Sequence, residues 1–191
     1  MRKITSKEFQ DLYKVHVLKP TDCVENFSCG DEDLDNFLKY EALLFDRAML
    51  ALTYVVIDKA QGSVVAYFSL ATDKLAVTDF NSNSEFNRFR KRRFEHEKRL
   101  RSYPAVKLCR LGVDHSLRNT GIGSLLLSFV TYYCTHGNRF ACRFLTVDAY
   151  KTAMPFYIKN GFLDLKKSSS LSDVQLMYLD LKQAIEENTE F

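Results

Sequence analysis

The chain has 191 residues, a formal net charge of +3, 46% hydrophobic and 27% charged residues, and only 7 glycines and 3 prolines. A chain of this length buries one core well and is short for two, so residues 1–191 are expected to form a single domain; disordered and collagen-like classes are excluded. The charge is too mild to name nucleic acid as a partner from the total alone, and the apolar runs fall far short of the ~20 residues that span a bilayer.

Residues 1–14 carry charge without an apolar core or a small-residue cleavage site, which predicts no secretory leader and a cytoplasmic location. Cys23, Cys29, Cys109, Cys134 and Cys142 form an odd set without C-x-x-C spacing, and His16, His96, His115 and His136 show no helical i, i+4 pair. Buried free thiols and no metal are therefore expected.

Residues 13–18 alternate valine with His16 ahead of Pro20, an edge strand. Residues 28–45 read as a helix with Leu34, Leu38, Ala42 and Phe45 on one face; Asp31, Glu32, Asp33 and Asp35 read as solvated charges near its N-terminus rather than a catalytic cluster. Residues 50–57 and 63–71 form a hairpin around the glycine-bearing loop 58–62. After Thr72 the chain leaves the sheet for about thirty polar residues, long enough to require a helix of its own. That helix is expected over 85–100, with Phe86, Phe89, Arg93 and Leu100 on its apolar side and Tyr103-Pro104 closing it.

Residues 106–113 are a short apolar strand, and Leu125, Leu126, Phe129 and Val130 then recur at helical spacing, ending near Gly137-Asn138. A second strand over 139–148 completes a strand, helix, strand unit, whose right-handed crossover makes the two strands parallel. Residues 151–160 give a short helix with Pro155 in its first turn. Residues 162–165 and 174–181 form a closing hairpin, and 182–191 read as a polar tail.

The turn between the 106–113 strand and its helix is Arg118-Asn119-Thr120-Gly121-Ile122-Gly123. Two residues without Cβ there let main-chain N–H groups approach an anion at a helix N-terminus, although a glycine pair also serves any ordinary strand-to-helix turn. The turn lacks the Gly-Lys-Ser/Thr end of a nucleotide P-loop and the third glycine of a dinucleotide fingerprint.

The spacing Arg-x-x-Gly-x-Gly, preceded by Leu111-Gly112-Val113, resembles motif A of the Gcn5-related N-acetyltransferase (GNAT) superfamily. Val147-Asp148-Ala149, followed by Ala153-Met154-Pro155-Phe156-Tyr157 and Gly161-Phe162, resembles the superfamily's A-x-x-F-Y-x-x-x-G-F segment. The order of elements is similar along nearly the whole chain. A narrower likeness lies in Phe27-Ser28-Cys29-Gly30, Leu34-Asp35, Phe37-Leu38, Tyr54-Val55-Val56 and Tyr103-Pro104 ahead of Arg110-Leu111-Gly112-Val113-Asp114. These resemble the toxin-type members, of the TacT kind, that acetylate aminoacyl-tRNA. Two departures are the mild basicity and Gly112, where alanine is common.

The resemblance implies a mixed α/β (α+β) fold with a largely antiparallel sheet, one parallel strand pair and flanking helices. It implies acetyl-CoA as co-substrate, with Leu111, Gly112 and Val113 pairing with the pantetheine arm. Amides of Asn119, Thr120, Gly121, Ile122, Gly123 and Ser124 would hold the pyrophosphate, with Arg118 adding charge or ordering the turn. It implies Tyr157 as the proton donor to the departing thiolate, a role suited to a phenol of ordinary pKa about 10. Residues 106–113 offer no carboxylate as general base, which favours an α-amine, pKa about 8, over a lysine near 10.4 as acceptor. Arg88, Arg90, Lys91, Arg92 and Arg93, interleaved with Phe86, Phe89 and Phe94, read either as a contact for charged tRNA or as a solvated helix face. A homodimer and an antitoxin are the further partners implied. The alternatives are an acetyltransferase for small amines or protein N-termini, and a CoA-binding GNAT module without turnover.

Overall fold

A computed structural model describes residues 3–94, 100–136, 141–165 and 173–187. In chain order the elements are α1 (Ser6–Leu12), β1 (Tyr13–Val17), α2 (Glu32–Asn36), α3 (Ala42–Arg47), β2 (Leu52–Asp58), β3 (Val64–Ala76), α4 (Asn83–Lys91), β4 (Ser102–Val113), α5 (Ile122–Thr135), β5 (Phe144–Tyr150), α6 (Met154–Lys159), β6 (Leu163–Asp164), β7 (Val174–Asp180) and α7 (Leu181–Glu187). The strand order is β1-β2-β3-β4-β5-β7-β6. Pairing is antiparallel for β1 with β2, β2 with β3, β5 with β7 and β6 with β7, and parallel for β4 with β5. This is the expected mixed sheet with one parallel pair. Among the described residues no helix is long and apolar enough to cross a membrane.

The chain divides into two compact units, Met1–Ala71 with Leu108–Val130, and Thr72–Lys107 with Thr131–Phe191. In the first, one buried cluster joins Phe27, Phe37, Leu38, Val55 and Tyr67. Tyr67 lies edge-on to Phe27 at 5.5 Å between ring centres, stacks on Phe37 at 6.3 Å, and donates its hydroxyl to the Leu34 carbonyl at 2.8 Å. A buried phenol needs such a partner, and this one fixes the ring. Phe68, the neighbouring residue on β3, packs against Tyr54 and Phe129.

In the second unit, Phe80, Phe86 and Phe89 from α4 and its approach pack with Leu75, Tyr103, Phe144 and Tyr178. Asp180, with its side chain 3% exposed, receives Arg143 at 2.8 Å and Arg93 at 3.3 Å. Arg93 also donates to the Tyr178 hydroxyl at 2.7 Å and sits 4.1 Å over the Phe89 ring.

Several boundaries differ from expectation for local reasons. Helix α1 was not foreseen, although Thr-x-x-Glu is its capping box: Glu8 N–H donates to Thr5 Oγ1 at 3.2 Å and Thr5 N–H to Glu8 Oε2 at 2.9 Å. The helix expected from residue 28 starts at Glu32, capped by Asp31, because residues 28 and 29 are held by Asp35. It then widens into a π-helical turn over Phe37–Glu41, which brings Phe37 as well as Leu38 into the core. Strand β3 runs five residues past the expected end, to Ala76, and buries Leu75.

Helix α4 begins at Asn83, capped by Ser82, and ends at Lys91, well short of Leu100, which is 48% exposed; residues 95–99 lie outside the described set. Tyr103-Pro104 lies inside β4 rather than closing a helix, with the Pro104 carbonyl accepting Arg143 N–H. The expected end of α5 at Gly137-Asn138 is likewise outside the described residues. Pro155 sits in the first turn of α6 as its missing N–H requires. The expected polar tail begins as α7, because Leu181 and Ala184 bury one face. None of the five cysteines is in a disulfide; Cys29 and Cys134 are buried, and Cys23 is exposed against expectation.

Replacing Asp180 with alanine leaves Arg93 and Arg143 without their shared carboxylate. The expected cost is about 3 kcal/mol, read as a lower urea midpoint with an unchanged slope.

Candidate functional site

The first unit carries the predicted anion turn. Strand β4 ends at Val113, and Asp114 follows, anchored by its own N–H to the Val65 carbonyl at 2.9 Å. Gly112 is buried, and a Cβ built there would come within 2.5 Å of Tyr67 Cε1 and 3.2 Å of Phe27 Cζ. Alanine is therefore excluded unless the pinned Tyr67 ring shifts, which accounts for the departure noted at this position. Leu111 and Val113 are half-buried on either side.

The turn is tied to residues 28–30, far away in sequence. Asp114 accepts Ser28 N–H at 3.2 Å with one oxygen, and with the other accepts Ser116 N–H at 3.0 Å and Ser116 Oγ at 2.6 Å. His115 N–H returns to the Ser28 carbonyl at 2.9 Å, and Arg118 donates to the Cys29 carbonyl. Gly30 has φ +76°, and a Cβ there would lie 2.8 Å from the Arg118 guanidinium. Asp35 completes the clasp, accepting Ser28 Oγ at 2.9 Å and Cys29 N–H at 2.8 Å. Arg118 thus ties the turn to the Cys29 carbonyl.

These bonds settle the carboxylate chemistry. Burial alone would push the Asp114 carboxyl up, but hydrogen bonds from Ser116 and Ser28 and the nearby His115 outweigh it and hold it below its ordinary value. Asp35 is lowered in the same way, burial opposed by bonds from Cys29 and Ser28. Asp114 is thus a clamp whose acceptors are engaged, ill-suited to receive a proton at neutral pH. Asp35 is likewise no merely solvated charge.

Beyond the clasp, Asn119 adopts φ +63° and Gly121 φ +89°, the left-handed geometry that asparagine tolerates and glycine favours. Thr120 Oγ1 bonds back to the Leu117 carbonyl at 2.6 Å. Helix α5, 14 residues long, then starts at Ile122, whose side chain is buried. The N–H groups of Gly121, Ile122, Gly123 and Ser124 have no acceptor among the described residues. These are the orphan donors of a helix N-terminus, at the positive end of its dipole. Gly123 belongs to the helix and needs no special backbone angle, so the two glycines of the motif serve different ends.

The second unit carries the remaining candidates. The parallel ladder of β4 and β5 pairs Ala105 with Phe144, Val106 with Leu145 and Lys107 with Thr146. Around it lie two carboxylates that inspection of the central strand alone missed. Asp73, on the extension of β3, accepts Thr146 Oγ1 at 2.5 Å, and Asp148 pairs with Lys107 at 2.5 Å. Asp148 stands in the quoted Val147-Asp148-Ala149 string, but sequence spacing signals neither residue's pairing, because both lie on strands flanking β4.

Tyr157, on α6, packs edge-on against Phe156 and Phe162 at 5.2 and 5.4 Å. Burial pushes its phenol up to about 12, and the hydroxyl has no hydrogen-bond partner among the described residues. It is therefore an ordinary protonated donor at neutral pH, uncommitted to a structural bond. Gly161, at φ +84°, turns the chain so that Phe162 N–H reaches the Tyr157 carbonyl at 3.1 Å.

On α4 the expected basic set divides. Arg88, Lys91 and Arg92 are exposed. Arg90 lines a cleft with Asn83, Phe86, Asn87, Leu100 and Arg101. Arg93 is spent inside on Asp180 and Tyr178, which corrects its assignment to an exposed contact surface. Among the described residues no cluster of His, Cys, Asp and Glu could hold a metal ion.

Residues 97–176 match the family described as acetyltransferase (GNAT) domain. Among solved structures, AtaT complexed with acetyl-methionyl-tRNA superposes with a TM-score of 0.72 at 20% identity, covering 92% of this chain and 98% of that one. A tyrosine-to-phenylalanine mutant of KacT gives 0.73 at 20% identity, with 92% and 98% covered. A mutant AtaT toxin bound to the C-terminus of the antitoxin AtaR and acetyl-CoA gives 0.70 at 18% identity, with 93% and 99% covered. At these identities the likeness establishes the fold.

Two variants test the local architecture. Gly112→Ala should destabilise the protein by about 1–3 kcal/mol through overpacking against Tyr67, and Tyr67→Leu in the same chain should relieve part of it; thermal unfolding reads both. For Asp114 the lowered folded value fixes the sign: its contribution is fully present above the ordinary value near 4 and is lost as pH falls through the folded value. Asp114→Asn should therefore cost about 1–3 kcal/mol at pH 7 and flatten the acid limb of stability against pH.

Proposed function

We propose that this chain, which has the acetyltransferase (GNAT) fold, is an acetyl-CoA-dependent N-acetyltransferase acting on the α-amino group of aminoacyl-tRNA. The observation that carries the cofactor assignment is the turn at Gly121, where four successive amides without acceptors open α5 behind an ordered clasp. Unpaired N–H groups at a helix N-terminus suit a pyrophosphate, and Gly121 admits the backbone approach. These residues fit the nucleotide end of acetyl-CoA. The residue set is Leu111, Gly112 and Val113 for the pantetheine arm, through strand-like main-chain pairing, and Asn119, Thr120, Gly121, Ile122, Gly123 and Ser124 for the pyrophosphate, with Arg118 holding the turn in shape. Acetyl-CoA supplies the activated acyl group.

In the reaction the neutral amine forms a bond to the acyl carbon, the carbon–sulfur bond breaks, Tyr157 gives its proton to sulfur, and the amine loses one to solvent or a neighbouring base. A phenol raised by burial stays protonated throughout the neutral range and strengthens as a donor only where charge develops. An α-amine, partly neutral at pH 7, needs little help from a base. Asp73 and Asp148 are the carboxylates to assay for what help is needed, since Asp114 is committed elsewhere.

The acceptor assignment rests on the likeness to AtaT, which was solved with acetyl-methionyl-tRNA, and on Arg88, Lys91 and Arg92, exposed together at the end of α4. An antitoxin, as AtaT has in AtaR, and a second copy of the chain are further partners.

Transfer of labelled acetyl from acetyl-CoA to charged total tRNA is the deciding assay, run beside peptides and small amines. Label that leaves the tRNA fraction on deacylation is expected; label only in peptides or amines would overturn the acceptor, and none in either would overturn turnover. Tyr157→Phe should reduce kcat by about 10²–10⁴-fold with acetyl-CoA affinity unchanged. Joint reversal of Arg88, Lys91 and Arg92 to glutamate should weaken charged tRNA and lower the salt slope while leaving small-amine transfer intact.

A further inference from the structure

We infer that Lys3, outside every motif of the anion turn, is a pyrophosphate ligand of acetyl-CoA. This rests on reading the Gly121 turn as the pyrophosphate site. The N-terminal segment is fastened to that turn: Ile4 N–H donates to the Thr120 carbonyl at 2.8 Å. It is fastened on its other side by Thr5, which closes the capping box of α1 with Glu8. Lys3 is thereby held beside Gly121, its Cβ and Cγ each 3.9 Å from the point where a Cβ on Gly121 would stand. Its side chain is exposed, and its ammonium has no partner among the described residues.

The charge balance calls for such a residue. A pyrophosphate brings formal negative charge that amide dipoles alone offset only in part. Arg118, the cation written into the turn, donates to the Cys29 carbonyl and abuts Gly30 instead. A lysine on a flexible four-carbon stem, anchored through its neighbour's backbone, supplies a mobile full charge at the open side of the turn. The Ile4 to Thr120 bond also orders the N-terminal segment and the turn together.

The experiment is calorimetric titration of the full chain and its Lys3→Gln and Lys3→Arg variants with acetyl-CoA, acetyl-dephospho-CoA and acetyl-pantetheine. Lys3→Gln should raise Kd for acetyl-CoA and acetyl-dephospho-CoA by about tenfold, leave acetyl-pantetheine unchanged and reduce the salt dependence, with Lys3→Arg close to wild type. An unchanged Kd for acetyl-CoA in Lys3→Gln overturns the inference. So does an effect confined to acetyl-CoA, which would place Lys3 on the 3′-phosphate, or an equal effect on acetyl-pantetheine, which would make its role structural. Failure of the wild-type chain to bind acetyl-CoA would instead overturn the cofactor reading itself.

Discussion

Asp114 bonds to Ser28, 86 residues away in sequence, and the geometry of the anion turn depends on that connection. The 115–121 stretch has internal bonds of its own, Thr120 Oγ1 to the Leu117 carbonyl among them, but it holds Asn119 in a left-handed geometry that costs a residue with a Cβ. The Asp114 carboxylate, the His115 amide and the Arg118 guanidinium grip the Ser28 N–H, the Ser28 carbonyl and the Cys29 carbonyl, and Asp35 takes the Ser28 hydroxyl and the Cys29 N–H. Gly30 is then required twice, for its positive φ and for the room that Arg118 occupies. The Phe-Ser-Cys-Gly string and the Arg-x-x-Gly-x-Gly string are therefore two halves of one construction.

The ionisable groups differ in how far their hydrogen-bonding capacity is committed. Asp114 and Asp35 are held low by donated hydrogen bonds and spend their lone pairs doing so. Tyr157 is raised, and burial among aromatic rings is the cause. A fixed anion and an uncommitted neutral acid are suited to different tasks, and only the second can release a proton late in a reaction without first breaking the scaffold. Tyr67 makes the contrast sharper. It too is raised by burial, but its hydroxyl is bound to Leu34 and its ring fills the space that a Cβ on Gly112 would need, so it belongs to the packing.

What could be read from the sequence follows the range of the forces involved. The βαβ crossover, the parallel pair, the Gly121 turn and Pro155 at the start of α6 were legible because periodicity, glycine and proline act within a few residues. The capping box of α1 is equally local, but one short amphipathic turn gives little periodicity by which to recognise a helix. The start of α2 and its π-turn were not legible: Asp35 pulls residues 28 and 29 away from helical bonding, and Tyr67 claims the Leu34 carbonyl. The pairings of Asp73 with Thr146 and of Asp148 with Lys107 are illegible for the same reason, because strand pairing makes them. Gly112 could be seen as a departure, but only Tyr67 explains it.

Charge needs the same separation of surface from interior. A net charge of +3 suggests little, and a run of arginines in sequence suggests too much. Arg93 and Arg143 share Asp180 below the surface, Arg110 lies 5.0 Å over the Phe37 ring, and Arg118 holds the turn. These cations are structural, and counting them toward a phosphate-binding face would double the apparent charge with groups that cannot leave their partners without cost. Arg88, Lys91 and Arg92 remain at the C-terminal end of α4, where the helix dipole already favours positive charge. The dipole thus favours cations at that end of the helix. The clasp around residues 28 and 29 draws on none of these three residues.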